Sequence, residues 1–537
     1  MKHILKNITL TGVAVMALGG LYSCTQDFED INTDPNKLVV GQLTPYNMFE
    51  SLLYGAANNR YYDAWYYSAE IVQHTATNST NSRISTYTDL NNKFFDRTWS
   101  RYANEGANAV HMYDLAVKDM DEACQAIALT IKVMAMEELT AAFGDIPYRE
   151  AFQARKTGNV KPVFDPQKEV YEQMFADLDS ANNLYAKNPK FDRTTMDGMY
   201  GGDMNKWRRF NNSLYLRLLC RVSGRAEMNV GAKITEIMKN PSKYPIITSN
   251  AQNATVTFTG TTPYANYFYN TAPDNFSGSH RMSQQMVKLM TVTETAEDGT
   301  ISQDEVDPRT DVWFYKYVGT TYNPYKLWIG AISGGTPAEM DEYNIGTSGL
   351  SGAVLCGATV PITLLEYAEI QMIFAEMAHK GIIEGGDQAA KSYYESAIRA
   401  SLDRWSGMIA RVEDWGTSTR LEPFSTDVIN EFMSSSLASW DQAANKDELI
   451  GNQKYLLLFY NGFQAFHEIH RTGYPVLKMG GGTGSNNYTF PTRFSYPTNT
   501  IGTNPDNANA AIKRQGWSEN NMRQPLWYSR QAIESGK

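Results

Sequence analysis

The stretch "KWRRFNNSLYLRLLCRVS", residues 206–223, decides the fold class. Trp207, Phe210, Leu214 and Leu218 recur every three or four residues, the spacing that lines one side of a helix with apolar groups. Arg208, Arg217 and Arg221 fall elsewhere on the circumference and are expected to form a solvated or salt-bridged face rather than an anion site. Leu129, Val133, Met136 and Phe143 repeat the same periodicity. Further helical segments are expected at about 45–75, 166–186, 361–380 and 387–406. Polar caps or prolines stand near several starts, as in "FDPQKEVYEQM" and "VPITLLEYAEI". "YYDAWYYSAE" (61–70) lies inside the first of these, so Tyr62, Trp65 and Tyr66 are expected to pack in the core. The fold class that follows is mainly α.

Between about 240 and 360 the pattern changes. "ATVTFTG" (254–260) alternates like a strand, and long runs rich in Gly, Asn and Thr surround it, such as "TTPYANYFYNTAPDNFSGSH" (261–280). Loops of that length in a compact body are usually functional.

The chain's first residues carry a different signal. Two lysines, Lys2 and Lys6, precede an uncharged run from Ile8 to Leu21, shorter than the roughly 20 apolar residues a spanning helix needs. It reads as an export signal. "LYSC" (21–24) resembles a bacterial lipoprotein signal, in which cleavage exposes the cysteine and lipid is attached to its sulfur. On that reading Cys24 is an anchor. The other reading is an ordinary signal peptide with an incidental cysteine. Several acyl chains at about 0.8 kcal/mol per buried methylene would hold a large body firmly to a membrane.

The formal charge is −10, and losing Lys2 and Lys6 with the signal would make the remainder more acidic still. That balance disfavours nucleic acid or anionic lipid as a partner, since both need a basic surface. Cys124, Cys220 and Cys356 are widely spaced and odd in number, without a zinc-like spacing, and read as small buried hydrophobes. No phosphate-binding loop, serine elbow, dinucleotide glycine pattern or zinc helix occurs in the sequence. His467 and His470 in "HEIH" read as histidines packed beside aromatics rather than as metal ligands. No cofactor or metal is expected.

Aromatic residues make up 12% of the chain, with Tyr alone occurring 33 times. Many stand in polar loops rather than on periodic faces: Tyr87; Tyr264, Tyr267, Phe268 and Tyr269; Trp313, Tyr315 and Tyr317; Tyr322, Tyr325 and Trp328. An exposed ring beside Asn, Arg or Asp suits a sugar, whose C–H face packs on the ring while its hydroxyls bond the flanking groups. The alternative is that these rings pin long loops onto the body.

Eight segments, in order, resemble the SusD/RagB family of outer-membrane nutrient-binding lipoproteins. They are "DFEDINTDPN" (27–36), "AAFGDIPYREAF" (141–152), "KWRRFNNSLYLRLLCRVS", "DPR" (307–309), "LLEYAEIQMIFAEMAHKG" (364–381), "YYESAIRASLDRW" (393–405), "EIHRTGYP" (468–475) and "RFSYPTNTIGTNPDN" (493–507). Departures are "TVTETAEDGTISQDEV" (291–306), which looks like an inserted loop, and the Gly-rich "MGGGTGSNN" (479–487).

The resemblance implies one α-helical body of four tetratricopeptide-like helix pairs with an irregular, loop-built ligand-binding half. It implies signal residues 1–23, a lipidated tether 24–40 and a body 41–537, with the binding region at about 240–360. It also implies a non-catalytic lipoprotein that captures oligosaccharides as a lid over a SusC-like TonB-dependent barrel. Asn81, Arg83, Tyr87, Tyr267, Tyr269, Trp313 and Trp328 are the expected ligand-binding residues, with Asn81 and Arg83 reading hydroxyls and the rings stacking. Peptide capture on the same scaffold and a surface glycan hydrolase are the rival readings.

Overall fold

In the computed structural model, residues 43–77, 84–88, 90, 94–317, 319, 321–413 and 418–536 are described. The expected signal and tether, and with them Cys24, lie outside these residues.

The first helix, α1 (Tyr46–Asp63), continues through one π-helical turn, Ala64–Ser68. Two long helices follow, α2 (Phe94–Lys118) and α3 (Glu122–Phe143), joined by a tight turn in which Asp121 caps α3 by accepting from the Cys124 N–H at 2.8 Å. Ala, Ile, Leu and Met surround α3 on nearly every side, so it is buried almost throughout, as an all-apolar helix must be. Next come α4 (Gln167–Tyr185), α5 (Met204–Arg221), a short α6 (Gln284–Met290), α7 (Tyr367–His379), α8 (Gly386–Ala410), α9 (Lys446–Leu457) and α10 (Gln464–Thr472).

Consecutive helices pack in pairs: α2 on α3, α4 on α5, α7 on α8 and α9 on α10. One continuous hydrophobic core runs from Phe49 to Tyr528. The helical segments read from the periodicity near 45–75, 166–186 and 387–406 are present with ends shifted by a few residues, whereas the one expected at 361–380 starts only at Tyr367, because Ile362–Leu365 form a strand.

Of the two arrangements expected for the arginines of α5, solvated or salt-bridged, Arg217 and Arg221 take the second, inside the body. Arg217 and Arg221 are buried, not solvated. Arg217 donates from Nε and Nη2 to the two Glu369 oxygens of α7, each at 2.7 Å, and Arg221 lies 3.4 Å from Glu468 of α10. Lys454 of α9 reaches Glu468 at 2.8 Å. These groups form a buried charge network that ties the second half of the helical body to the first. Buried charges persist only where such partners and hydrogen bonds offset their lost hydration.

The region from 240 to 360 holds more regular structure than expected. Outside the 291–306 segment the strands, in chain order, are β1 (Thr75–Thr77), β2 (Ala254–Val256), β3 (His280–Met282), β4 (Phe314–Tyr315), β5 (Gly349–Leu350) and β6 (Ile362–Leu365). The alternation in 254–260 thus yields a strand only over its first three residues, where β2 pairs antiparallel with β6. β1, β3, β5 and β4 form an antiparallel sheet in that order. Four segments distant in sequence meet in it, so no local pattern announces it. Residues 291–306 fold as a hairpin, Glu294–Thr295 against Ile301–Ser302. No helix among the described residues is long and apolar enough to cross a membrane.

Candidate functional site: an exposed aromatic platform

Two rings that face solvent, Tyr66 and Tyr267, are joined through Tyr62 at the end of α1. Tyr62 and Tyr66 stack with centroids 5.3 Å apart and planes 14° from parallel. Tyr267 meets Tyr62 edge-on at 4.6 Å, and Trp65 leans on Tyr66 at 5.7 Å. Tyr66 is 39% exposed and Tyr267 49%. Trp65 is half-buried, its indole N–H donating to the Phe276 carbonyl at 2.9 Å and its ring 4.8 Å from His280 of β3.

Local sequence explains the exposure. Tyr61, Tyr62, Trp65, Tyr66 and Tyr67 spread too far round a helix for one buried face to hold them all. The π turn adds a residue per turn there, and such turns gather at functional sites. Tyr62, Trp65 and Tyr66 were expected in the core. Tyr62 is buried, but Tyr66 is not, and the signal available was that crowding of rings.

Tyr267 is presented by a pinned loop. Asn266 is fully buried and donates to the Val360 carbonyl at 2.9 Å, while its side-chain oxygen accepts from the Phe268 N–H at 3.0 Å. Phe268 is buried beside Trp65 at 5.1 Å. Alternate residues therefore point inward, which leaves Tyr267 and Tyr269 outward. Asn58 of α1 fixes the register by accepting from the Tyr267 N–H at 2.8 Å. Tyr269, 44% exposed, has no ring contact among the described residues.

Charged groups flank the platform. Arg97 is exposed and donates to the Tyr62 and Tyr67 hydroxyls at 3.0 and 3.2 Å. Arg101 lies over the Tyr62 ring, 4.7 Å from its centroid, and pairs with Asp63. Burial pushes the Asp63 carboxyl up to about 6 against the pull of Arg101 and the Tyr102 hydroxyl. Asp63 is fully covered and meets no ligand from solvent. His280, its pKa lowered to about 4 by burial and then by Arg281, is a neutral ring wall at pH 7.

A second group of exposed rings belongs to the far edge strand of the sheet and the loop after it. Tyr315 of β4 covers Gly349 of β5, where a Cβ would meet the ring at 2.2 Å. Tyr317, Tyr322 and Tyr325 are also exposed.

Three of the expected stacking residues are corrected by burial. Trp313 is 0% exposed, stacked on Phe459 at 4.3 Å and met edge-on by Trp405 at 5.4 Å. Trp328 is 3% exposed, with Lys316 5.0 Å over its ring. Tyr87 is 1% exposed, its hydroxyl donating to the Ile71 carbonyl at 3.1 Å. Rings with both faces covered pin loops to the body and offer no surface to a sugar. Asn81 and Arg83 lie outside the described residues.

Cys220, Glu376 and Glu468 also converge, at a spacing a metal ion would accept. Their charge is already matched: Arg471 donates to Glu376 at 2.6 Å and to Glu468 at 3.0 Å, and Lys454 reaches Glu468. A cation there would face that guanidinium and ammonium, so the cluster belongs to the structural network. His467 is held by Glu138 at 3.1 Å, and His470 packs on Phe466 at 4.3 Å and Phe490 at 5.2 Å.

A SusD-like family model, described as starch-binding and associating with the outer membrane, matches residues 35–497. Among solved structures, one called a chitin-binding protein is 22% identical, with a TM-score of 0.73 over 91% of this chain and 100% of that chain. A SusD homolog from Bacteroides fragilis is 22% identical, with a TM-score of 0.72 over 90% and 100%. A chitin-binding SusD homolog from Flavobacterium johnsoniae is 20% identical, with a TM-score of 0.64 over 90% and 98%. At these identities the likeness shows the fold. No curated protein matches the chain.

Proposed function

Because the chain belongs to the SusD-like family of outer-membrane-associated, starch-binding type, we propose that it is a non-catalytic surface lipoprotein that captures oligosaccharides. The single observation that carries this is the pair of exposed rings, Tyr66 and Tyr267, joined through the buried Tyr62 and backed by the half-buried Trp65. A pyranose would stack on Tyr66 and Tyr267, and Arg97 stands where a hydroxyl would accept its N–H groups. Tyr269, Asn81 and Arg83 are further candidates for the same ligand.

Cys24 is proposed as the lipid attachment point and residues 24–40 as the tether. The partner is a SusC-like TonB-dependent barrel, to which the captured glycan is delivered. Family membership and the lipoprotein-like residues 21–24 support this part of the reading.

The test is a binding screen of residues 25–537 against polysaccharides and peptide mixtures by affinity gel and calorimetry. Retention by one glycan class without shortening of the glycan is expected. Tyr66→Ala and Tyr267→Ala should each weaken it by ~1–3 kcal/mol, the cost of removing a central aromatic contact. Binding of peptides alone, or product release on long incubation, would replace this reading with one of its rivals.

A further inference from the structure

Arg97, exposed in the first turn of α2, is held against the aromatic platform by one nitrogen. Its Nη1 donates to the Tyr62 hydroxyl at 3.0 Å and to the Tyr67 hydroxyl at 3.2 Å. The Nε–H and Nη2–H groups make no hydrogen bond among the described residues. That free edge is the one by which other arginines of this chain grip carboxylates. Arg217 takes both oxygens of Glu369 through Nε and Nη2, and Arg309 on Asp307 and Arg514 on Asp145 use the same two atoms. Two parallel N–H groups on a planar fork match the two oxygens of a carboxylate, a geometry that a lysine ammonium lacks.

The charge on Arg97 is also unanswered. No acid pairs with it among the described residues, and the groups that raise its pKa are hydroxyls, Tyr67 first and then Tyr62 and Tyr267. Arg101, one turn further along α2, differs in that Asp63 meets its charge. Both hydroxyls that hold Arg97 belong to rings that pack on the exposed pair: Tyr67 meets Tyr66 at 4.7 Å, and Tyr62 meets Tyr66 at 5.3 Å and Tyr267 at 4.6 Å. The guanidinium therefore lies one ring away from each open face. A sugar stacked there would cover Arg97 and strip water from it. A cation that loses hydration without gaining a counter-charge costs free energy, so a neutral ligand is penalised at this place and an anionic one is not.

We propose that Arg97 makes the platform selective for acidic sugars: a hexuronate ring lies on Tyr66 or Tyr267 and its carboxylate enters the free Nε and Nη2 edge. The inference rests on the glycan-capture reading and names the substrate class within it. The rings supply affinity for the C–H face, and the guanidinium supplies the choice between acidic and neutral chains.

The experiment titrates wild type, Arg97→Gln, Arg97→Lys and Tyr267→Ala, each from residue 25 onward, with oligogalacturonate and with its carboxyl-reduced neutral counterpart. The readout is the ratio of the two affinities. Wild type is expected to favour the acidic chain about tenfold, the worth of hydrogen bonds to a charged group. Arg97→Gln should abolish the preference, and Arg97→Lys, which keeps the charge without the fork, should fall between. Tyr267→Ala should weaken both chains and leave their ratio alone. Added salt should weaken binding of the acidic chain more than that of the neutral one.

The ratio separates recognition from scaffolding. Release of Tyr62 and Tyr67 in an Arg97 variant would weaken both chains alike, and that outcome overturns the selectivity. So does equal binding of the two chains by wild type, or a preference that survives in Arg97→Gln. Inorganic sulfate that binds as tightly as oligogalacturonate marks a general anion site and overturns the sugar class. Retention of a neutral glycan in the polysaccharide screen with no binding of oligogalacturonate overturns the acidic class and leaves glycan capture standing, whereas retention of no glycan removes both readings.

Discussion

Arg471 donates from Nη1 to Glu376 Oε1 at 2.6 Å, joining α10 to α7 across 95 residues of sequence. Both side chains are almost completely covered. Burial by itself would raise the Glu376 pKa, but Arg471, then Lys380 and Lys454, outweigh it and hold the carboxyl well below the usual carboxylate range. Burial would raise Glu468 as well, but Arg471, then Lys454 and Arg221, hold it well below the usual carboxylate range. A carboxyl lowered on folding stabilises the native state above its unfolded pKa and loses that contribution as pH falls through its folded value.

Removing one member of this network leaves the others charged and buried. Glu376→Gln should therefore destabilise by ~3–5 kcal/mol in urea unfolding at pH 7, against the small change expected when an exposed ion pair is cut. The exposed pair Lys168–Glu172, 2.5 Å apart on α4, is the control. Similar losses for Glu376→Gln and Glu172→Gln would mean that the buried network does not hold the helix pairs together.

His470 should make stability fall on acidification. Burial, and then Arg221, lower its pKa to about 3. A histidine lowered on folding binds its proton more readily unfolded, so stability rises with pH between the folded value and the unfolded value of about 6.5. His470→Gln should flatten the stability profile between pH 4 and 6 by about 1.4 kcal/mol per pH unit, one proton's worth. Parallel profiles for variant and wild type would show that the proton goes elsewhere.

Trp313 and Tyr267 should separate folding from binding. Trp313→Ala removes a ring stacked on Phe459 and met edge-on by Trp405 and should cost ~3–5 kcal/mol of stability. Tyr267→Ala removes a half-exposed ring and should leave the melting temperature nearly unchanged while weakening glycan retention. The reverse pattern in the two variants would return the stacking role to Trp313.

Cys124, Cys220 and Cys356 are free and buried. Burial raises the thiol pKa of each, that of Cys356 to about 12, and the thiolate is the reactive form. Iodoacetamide at pH 8 should leave all three unlabelled in the native protein and label them after denaturation. Rapid native labelling of any one would indicate an opening of the core there.

The sequence by itself determined the helices, the buried cysteines and the family. Those signals are local or ordered along the chain: a stripe such as Trp207, Phe210, Leu214 and Leu218 is a property of eighteen consecutive residues, and the landmark segments keep their order whatever the loops do. Which aromatic rings face water was decided only by tertiary structure. Trp313 and Tyr267 both stand in stretches rich in polar residues, yet one meets Phe459 from α9's end and the other is turned outward by Asn266. Exposure is the area left after distant segments have packed, and neither residue type nor neighbours in sequence carry it. The same holds for Arg217 and Arg221, which became network members only because α7 and α10 brought carboxylates to them.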